Sequence, residues 1–198
     1  MTAMPQHQHE SSAPTHLLTI EEYAALGETE SGYTELQEGR LLMSPSPNYS
    51  HMRAIFRIAS QLDQQAPDDL VVVGELDIDM GFAPHDQPGD SRRPDIIVCT
   101  RTATERVKKT GGLIRASEVV VVIEVISPGS RRTDRKIKRI EYAEAGIPCY
   151  WMLDLDDPVS LLACRRTEEF GYVDDQEATG VFRTDVPFPV TIDLNSLG

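Results

Sequence analysis

The longest apolar run of the chain, VVVVIEVI at residues 119–126, sets seven β-branched aliphatics around one carboxylate, Glu124, and is followed by the breaker SPGS. A run this dense reads as a strand covered on both faces. Alternation puts Val120, Val122, Glu124 and Ile126 on one face, with Glu124 near the C-terminal end, where open α/β sheets carry their ligands. Before it, TIEEYAAL predicts a short helix with Thr19 as N-cap and Glu22 closing a capping box, ending near Gly27. YTELQEGRLLMS predicts a hairpin turning at Glu38 and Gly39, with Glu35 in its first strand, and SPSP (44–47) predicts a rigid loop. From Asn48, the spacing of Met52, Ile55, Ala59 and Leu62 predicts an amphipathic helix ending before Pro67.

LVVVGELDIDM (70–80) predicts a strand on which Glu75, Asp77 and Asp79 share one face, either a solvent-facing edge or, less simply, a metal site. After a loop rich in Pro and Gly, RPDIIVCT opens a strand with Pro94 in first position and Asp95 at its mouth. A loop with TGG then leads to the Glu124 strand. TDRKIKRIEYAEAG predicts a helix of about three turns from an N-cap at Thr133 to a stop at Gly146. Asp134, Lys138 and Tyr142 lie on one face of it at i, i+4, i+8. PCYWMLDLDDPVSLLACRR predicts two strands around the acidic turn at Asp156 and Asp157, and further short strands follow. The succession predicts an α/β fold, a mixed sheet with flanking helices.

Composition narrows this picture. At 198 residues with 40% hydrophobic content the chain suits one globular domain over 17–198, preceded by a polar, disordered tail over 1–16. No apolar stretch reaches membrane length and no basic region precedes an apolar one at the start, so a cytoplasmic protein is expected. Cys99, Cys149 and Cys164 are odd in number and lie in apolar contexts, which fits core thiols better than a disulfide framework or a zinc site. The histidines form no ligand pair. His51, near a helix start, reads as capping or surface, though it could approach phosphate.

The net charge of −13 hides a division. Residues 92–139 carry 13 of the 19 basic residues and five acids, about +8, whereas the remainder carries about −21. RRTDRKIKR (131–139) is the densest part, a solvated helix face or, beside a buried acid, a phosphate-binding wall. An unpartnered ionised Glu124 would cost several kcal/mol or more. It requires an ion pair, a retained proton or a metal.

Together YTELQEGRLLMSPSPNYSH, RRPDIIV and VVVVIEVISPGSRRTDRKIKRIEYAEAGIPCYWMLD, preceded by TIEEYAAL, resemble the Uma-two family of restriction endonucleases, within the restriction-endonuclease-like PD-(D/E)XK superfamily. The resemblance implies a restriction-endonuclease-like mixed central β-sheet flanked by helices and a metal-dependent endonuclease that hydrolyses phosphodiester bonds in DNA. It implies Asp95 and Glu124 as ligands of Mg²⁺ or Mn²⁺, with Glu35 as a further ligand or water-orienting acid; hard oxygen donors favour these ions over zinc. The superfamily's Lys two residues after the second acid is here Ile126, and the residue that matches it is Lys138 on the following helix, with Lys136 as a fallback. Cys149 stands where the family often has an acid. Tyr142 and Ser127 shape the pocket or serve packing and the turn. Arg131, Arg132, Arg135 and Lys136 would contact nucleic acid, and a homodimer would suit duplex cleavage, the oligomeric state being otherwise open. The competing expectation is a catalytically inactive nuclease-fold module that binds nucleic acid or a protein partner, which the acidic remainder favours.

Overall fold

The structure, a computed structural model, describes residues 14–27, 33–43, 46–127 and 131–197. Most of the expected tail (residues 1–13), Ser44 and Pro45 of the SPSP loop, and Pro128 to Ser130 of the breaker lie outside the described residues.

The helices are α1 (Ile20–Leu26), α2 (Tyr49–Asp63), α3 (Arg101–Thr110) and α4 (Arg139–Glu144), the last preceded by a π-helical stretch, Thr133–Lys138. The strands are β1 (Thr34–Gln37), β2 (Arg40–Met43), β3 (Leu70–Gly74), β4 (Ile78–Asp79), β5 (Ser91–Arg92), β6 (Ile96–Thr100), β7 (Ile114–Arg115), β8 (Val119–Ile126), β9 (Cys149–Asp154), β10 (Ser160–Thr167), β11 (Gly171–Thr179), β12 (Val181–Thr184) and β13 (Val190–Asp193). A six-stranded sheet runs β11-β10-β9-β8-β6-β3, a five-stranded one β2-β1-β5-β4-β7, and β12 pairs with β13. Within the larger sheet β8 and β9 are parallel and the other neighbours antiparallel. The expected mixed α/β architecture is therefore present.

β8 lies inside this sheet, as its run of Val and Ile requires, and each face is covered. On one face Ile55, Ile58 and Leu62 of α2 pack with Val121, Ile123, Trp151, Phe182 and Ile192. Burying each such aliphatic contributes about 1.5–3 kcal/mol. On the other face Tyr142 and Ala143 of α4 and Ala103 of α3 pack with Ile97, Val122, Ile126 and Tyr150. Cys99, Cys149 and Cys164 are buried in these cores. Cys149 packs on the α2 face, away from Glu124.

The hairpin and the first two helices follow their patterns. Thr19 and Glu22 form the capping box, Asn48 caps α2, and Glu38 and Gly39 turn the β1–β2 hairpin with φ of 48° and 76°. Met52 is the exception, standing exposed while Ala54 and Ile58 take the inward positions.

Four expectations are corrected. The run 70–80 is not one strand: it breaks after Gly74, where Glu75 takes a positive φ of 50°, and its two parts enter different sheets. Asp77 is consequently no edge residue but a bidentate partner of Arg93, at 2.9 and 2.6 Å. Residues 101–110, expected as loop, form α3, capped by Thr100; only Ala103 is buried on it, too little apolar signal to show a period. Val120 does not share the face of Glu124, because register slips between Val98 and Cys99, and Val119 takes its place among the residues beneath α4. Thr133 does not cap its helix, which is already helical at Arg131.

Three backbone bonds link the segment before α1, the β1–β2 turn and the loop before β5 to one another: Leu18 N to Gly39 O (2.8 Å), Gly39 N to Gly89 O (2.8 Å) and Gly89 N to Leu18 O (3.0 Å). A Cβ at Gly39 would lie 2.8 Å from the Cβ atoms of Leu17 and Pro88, and one at Gly89 would lie 2.9 Å from the amide N of Ile20. Gly39→Ala should therefore lower unfolding free energy by more than the roughly 1–2 kcal/mol of a left-handed φ alone. Gly89→Ala should also destabilise. Urea unfolding checks both, and wild-type stability in either would contradict this account of the junction.

Candidate active site

β6 and β8 are antiparallel with Ile96 opposite Ile123. Asp95 directly precedes β6 and reaches the strand beside it at Val125, the residue next to Glu124. Asp95 is fixed at both oxygens: Oδ2 accepts from the Val125 amide at 2.6 Å and Oδ1 meets His51 Nε2 at 2.9 Å. His51 comes from the first turn of α2 and is largely buried. Burial pulls its pKa down, but the hydrogen bond and charge of Asp95, with Asp134 and Glu75, more than offset this, and the net shift is upward.

Glu124 is buried, and its Oε1 accepts from Lys138 Nζ at 2.9 Å and from the Tyr142 hydroxyl at 2.7 Å. Lys138 Nζ also lies 3.4 Å from Asp134 Oδ1 and 4.0 Å from Glu35 Oε1. Lys136 is exposed on the outer side of the same helix. Burial raises the Glu124 pKa, Lys138 opposes the rise, and Asp95 and Asp134 reinforce it. Burial would depress Lys138, yet Glu124, Glu35 and Asp134 outweigh it and hold its pKa up. The Glu124 rise is thus chiefly an effect of burial, whereas the carboxylates around the single ammonium hold Lys138 up.

Glu35 is engaged on both oxygens: Oε2 accepts from Arg92 Nη1 at 2.8 Å and Oε1 from the Arg93 amide at 3.1 Å. Arg92 is itself buried and grips Glu141 of α4 through Nε and Nη2, at 2.8 and 2.6 Å. The π-helical stretch turns both Asp134 and Lys138 inward, and the Tyr150 hydroxyl donates to the Asp134 carbonyl at 3.0 Å. π-turns of this kind recur at functional sites.

The sequence-derived residues Asp95, Glu124, Glu35 and Lys138 are thus brought together. The basic cluster is divided. Arg131 bonds Asp156 at 2.7 Å and Arg135 bonds Asp154 at 2.9 Å, while Arg132 and Lys136 are exposed. Sequence reasoning did not anticipate the His51–Asp95 pair, the burial of Asp134 or the Arg92 bridge. Asp134 carried a signal in its i,i+4 relation to Lys138; Arg92 carried none, because its partners are 57 and 49 residues away.

The donor set suits a hard divalent cation. Among the described residues no three His, Cys, Asp or Glu side chains gather at metal-binding distance. Mg²⁺ is commonly held by one or two carboxylates with water and substrate phosphates completing its shell. Asp95 and Glu124 are two such carboxylates, Asp95 sharing its oxygens with His51 and the Val125 amide; Glu35 is bound to the buried Arg92 guanidinium, a fixed positive charge, and fits a supporting position better.

A family described as "Putative restriction endonuclease", Uma2, matches residues 20–183, and the chain belongs to it. Among solved structures, a "putative nuclease belonging to DUF820" from Anabaena variabilis is similar over 91% of this chain and 97% of its own, with a TM-score of 0.62 and 18% identity. This likeness supports the restriction-endonuclease-like fold, and the family supports a nuclease function. No curated protein matches. Among the described residues no helix is long and apolar enough to cross a membrane.

The charge imbalance predicts an asymmetry in metal-free protein. Glu124→Gln keeps its shape and leaves Lys138 with Asp134 and Glu35, so it should match or exceed wild-type stability at neutral pH. Lys138→Met strands several buried carboxylates and should lose about 3–5 kcal/mol. Because Glu124 and His51 are both raised in the folded state, their stabilising contributions are full below their ordinary pKa values and are lost as pH rises through the folded ones. Wild type should therefore lose stability between about pH 5 and pH 8, and Glu124→Gln should lose less. Thermal melts across this range decide the point; a steeper fall in the Gln variant would refute the assignment.

Proposed function

We propose that the protein is a metal-dependent endonuclease hydrolysing phosphodiester bonds in DNA, with Asp95 and Glu124 holding Mg²⁺ or Mn²⁺. The observation that carries this reading is the convergence of the two acids at the end of β8, Asp95 accepting from the amide next to Glu124 at 2.6 Å and Lys138 Nζ lying 2.9 Å from Glu124. A bound divalent ion supplies charge to polarise a phosphoryl oxygen, acidify a water and stabilise the leaving oxygen. The chain supplies the rest. Lys138 stays charged within the site and would orient the attacking water. His51 holds Asp95 from behind, the Tyr142 hydroxyl fixes Glu124, and Glu35 steadies the ammonium while clamped by Arg92. Arg132 and Lys136 offer exposed charge for backbone phosphates.

The second reading, a nuclease-fold module without catalysis, draws on the neutralisation of Arg131 and Arg135 by Asp154 and Asp156. The two readings separate in a plasmid-nicking assay. Asp95→Ala should abolish both Mn²⁺ binding and Mg²⁺-dependent nicking, whereas Lys138→Ala should abolish nicking while retaining Mn²⁺. Wild-type protein that binds DNA without nicking it in Mg²⁺ or Mn²⁺ would favour the second reading.

Contact through phosphates also sets the salt response. DNA affinity should fall steeply with salt, and replacing Arg132 and Lys136 together should reduce the slope by nearly two on logarithmic axes. A slope unchanged by the double replacement would remove these residues from the interface.

A further inference from the structure

The proposed metal site contains a conflict that its own residues resolve. Both hydrogen bonds to Glu124 fall on one oxygen, Oε1, and one of them comes from an ammonium. A divalent cation at Glu124 and an ammonium 2.9 Å from the same carboxylate repel each other in a pocket where water screens little. Lys138 is held in from its Nζ outward, with only 12% of its side chain exposed, so the ammonium has no easy retreat into solvent. It needs another anion within reach.

Two carboxylates stand there. Glu35 Oε1 is the more distant, at 4.0 Å. Asp134 Oδ1 is 3.4 Å away, one helical turn back along the element that bears Lys138, and the side chain of Asp134 is 2% exposed. A displacement of a few tenths of an ångström would bring Nζ to full hydrogen-bonding distance from it. The π-helical geometry and the Tyr150 hydroxyl on the Asp134 carbonyl hold that carboxylate facing inward.

Building on the metal-dependent reading above, we propose that Asp134 is a positioning residue for Lys138, the carboxylate that receives its ammonium when Glu124 becomes a ligand of a divalent cation. Asp134 does not itself ligate the ion. In the metal-free protein Lys138 occupies Glu124; in the loaded protein it would turn to Asp134 and stay within the site. No bond is made or broken in this handover. Only the anionic partner of one ammonium changes.

Calorimetric titration of the full chain with Mn²⁺ tests this independently of catalysis. Asp134→Asn should bind Mn²⁺ roughly ten- to a hundredfold more weakly than wild type, the value of one charge-assisted hydrogen bond. Asp134→Glu, which restores a carboxylate, should recover most of the affinity. Lys138→Gln removes the competing ammonium and should bind at least as tightly as wild type, and adding Asp134→Asn to it should change nothing further. An Asp134→Asn protein with wild-type affinity would overturn the proposal. So would an equal loss in the Lys138→Gln background, which would make Asp134 a ligand or a packing residue, and so would failure of Asp134→Glu to recover affinity. Wild type that takes up no Mn²⁺ at all would remove the metal reading itself, a result distinct from a wild type that binds while the Asn variant binds equally well.

Discussion

One buried ammonium governs the arrangement of this site. Lys138 Nζ lies within 4.0 Å of three carboxylates, on Glu124, Asp134 and Glu35, in a place where each uncompensated charge would cost several kcal/mol. Those acids come from three separate elements, β8, the π-helical stretch and β1. Placing the cation correctly therefore requires that the central sheet, the small sheet and the helix above them all be in register.

Arg92 extends this requirement. It joins Glu35 of β1 to Glu141 of α4, so the small sheet and the helix carrying Lys138 are tied by a second buried cation. Arg93, the next residue, turns the other way and grips Asp77 with both nitrogens. Pro94 and Asp95 follow directly. Four consecutive residues thus connect the outer network, the small sheet and the acid at the mouth of β6, and the positions of Glu35 and Asp95 are not independent. Buried ionic networks of this kind give little net stability, but they penalise misplacement severely. That suits a site whose groups must lie within hydrogen-bonding reach.

Much of this was legible before the structure. A lone acid within a doubly covered strand announces a buried charge, and the i,i+4 relation of Asp134 to Lys138 announces the helix face that meets it. The hairpin turn at Glu38 and Gly39, the cap at Thr19 and the start of α2 after Asn48 are local chemistry, legible in the sequence. What failed was non-local or lacked apolar period. Leu70–Met80 alternates like a strand, yet Glu75 takes a positive φ and sends the chain into another sheet, a choice made by Arg93 and Tyr33, which hold Asp77 and Glu75. α3 has a single buried residue and is held by its Thr100 cap and by the Arg106–Glu118 pair, neither of which produces periodicity. His51 looked like surface because nothing near it in sequence shows that Asp95, 44 residues on, will arrive beneath it.

The departure from the superfamily's Glu-x-Lys spelling now has a physical reading. Ile126 shares the face of Glu124 and is buried with Val122, Ile147 and Tyr150 beneath α4. A lysine there would be fixed to the same rigid strand as the acid it serves, with its ammonium beneath a helix rather than at the open end of the site. Ile126 instead extends the core under α4, and the helix so anchored carries Lys138, the residue proposed for the lysine's role. The cation then reaches Glu124 from above, along a side chain whose stem packs over the sheet and whose head has more than one anion to choose from. Moving the lysine from strand to helix separates two tasks that Glu-x-Lys combines: the strand positions the acid, and the helix determines where the charge beside it can go.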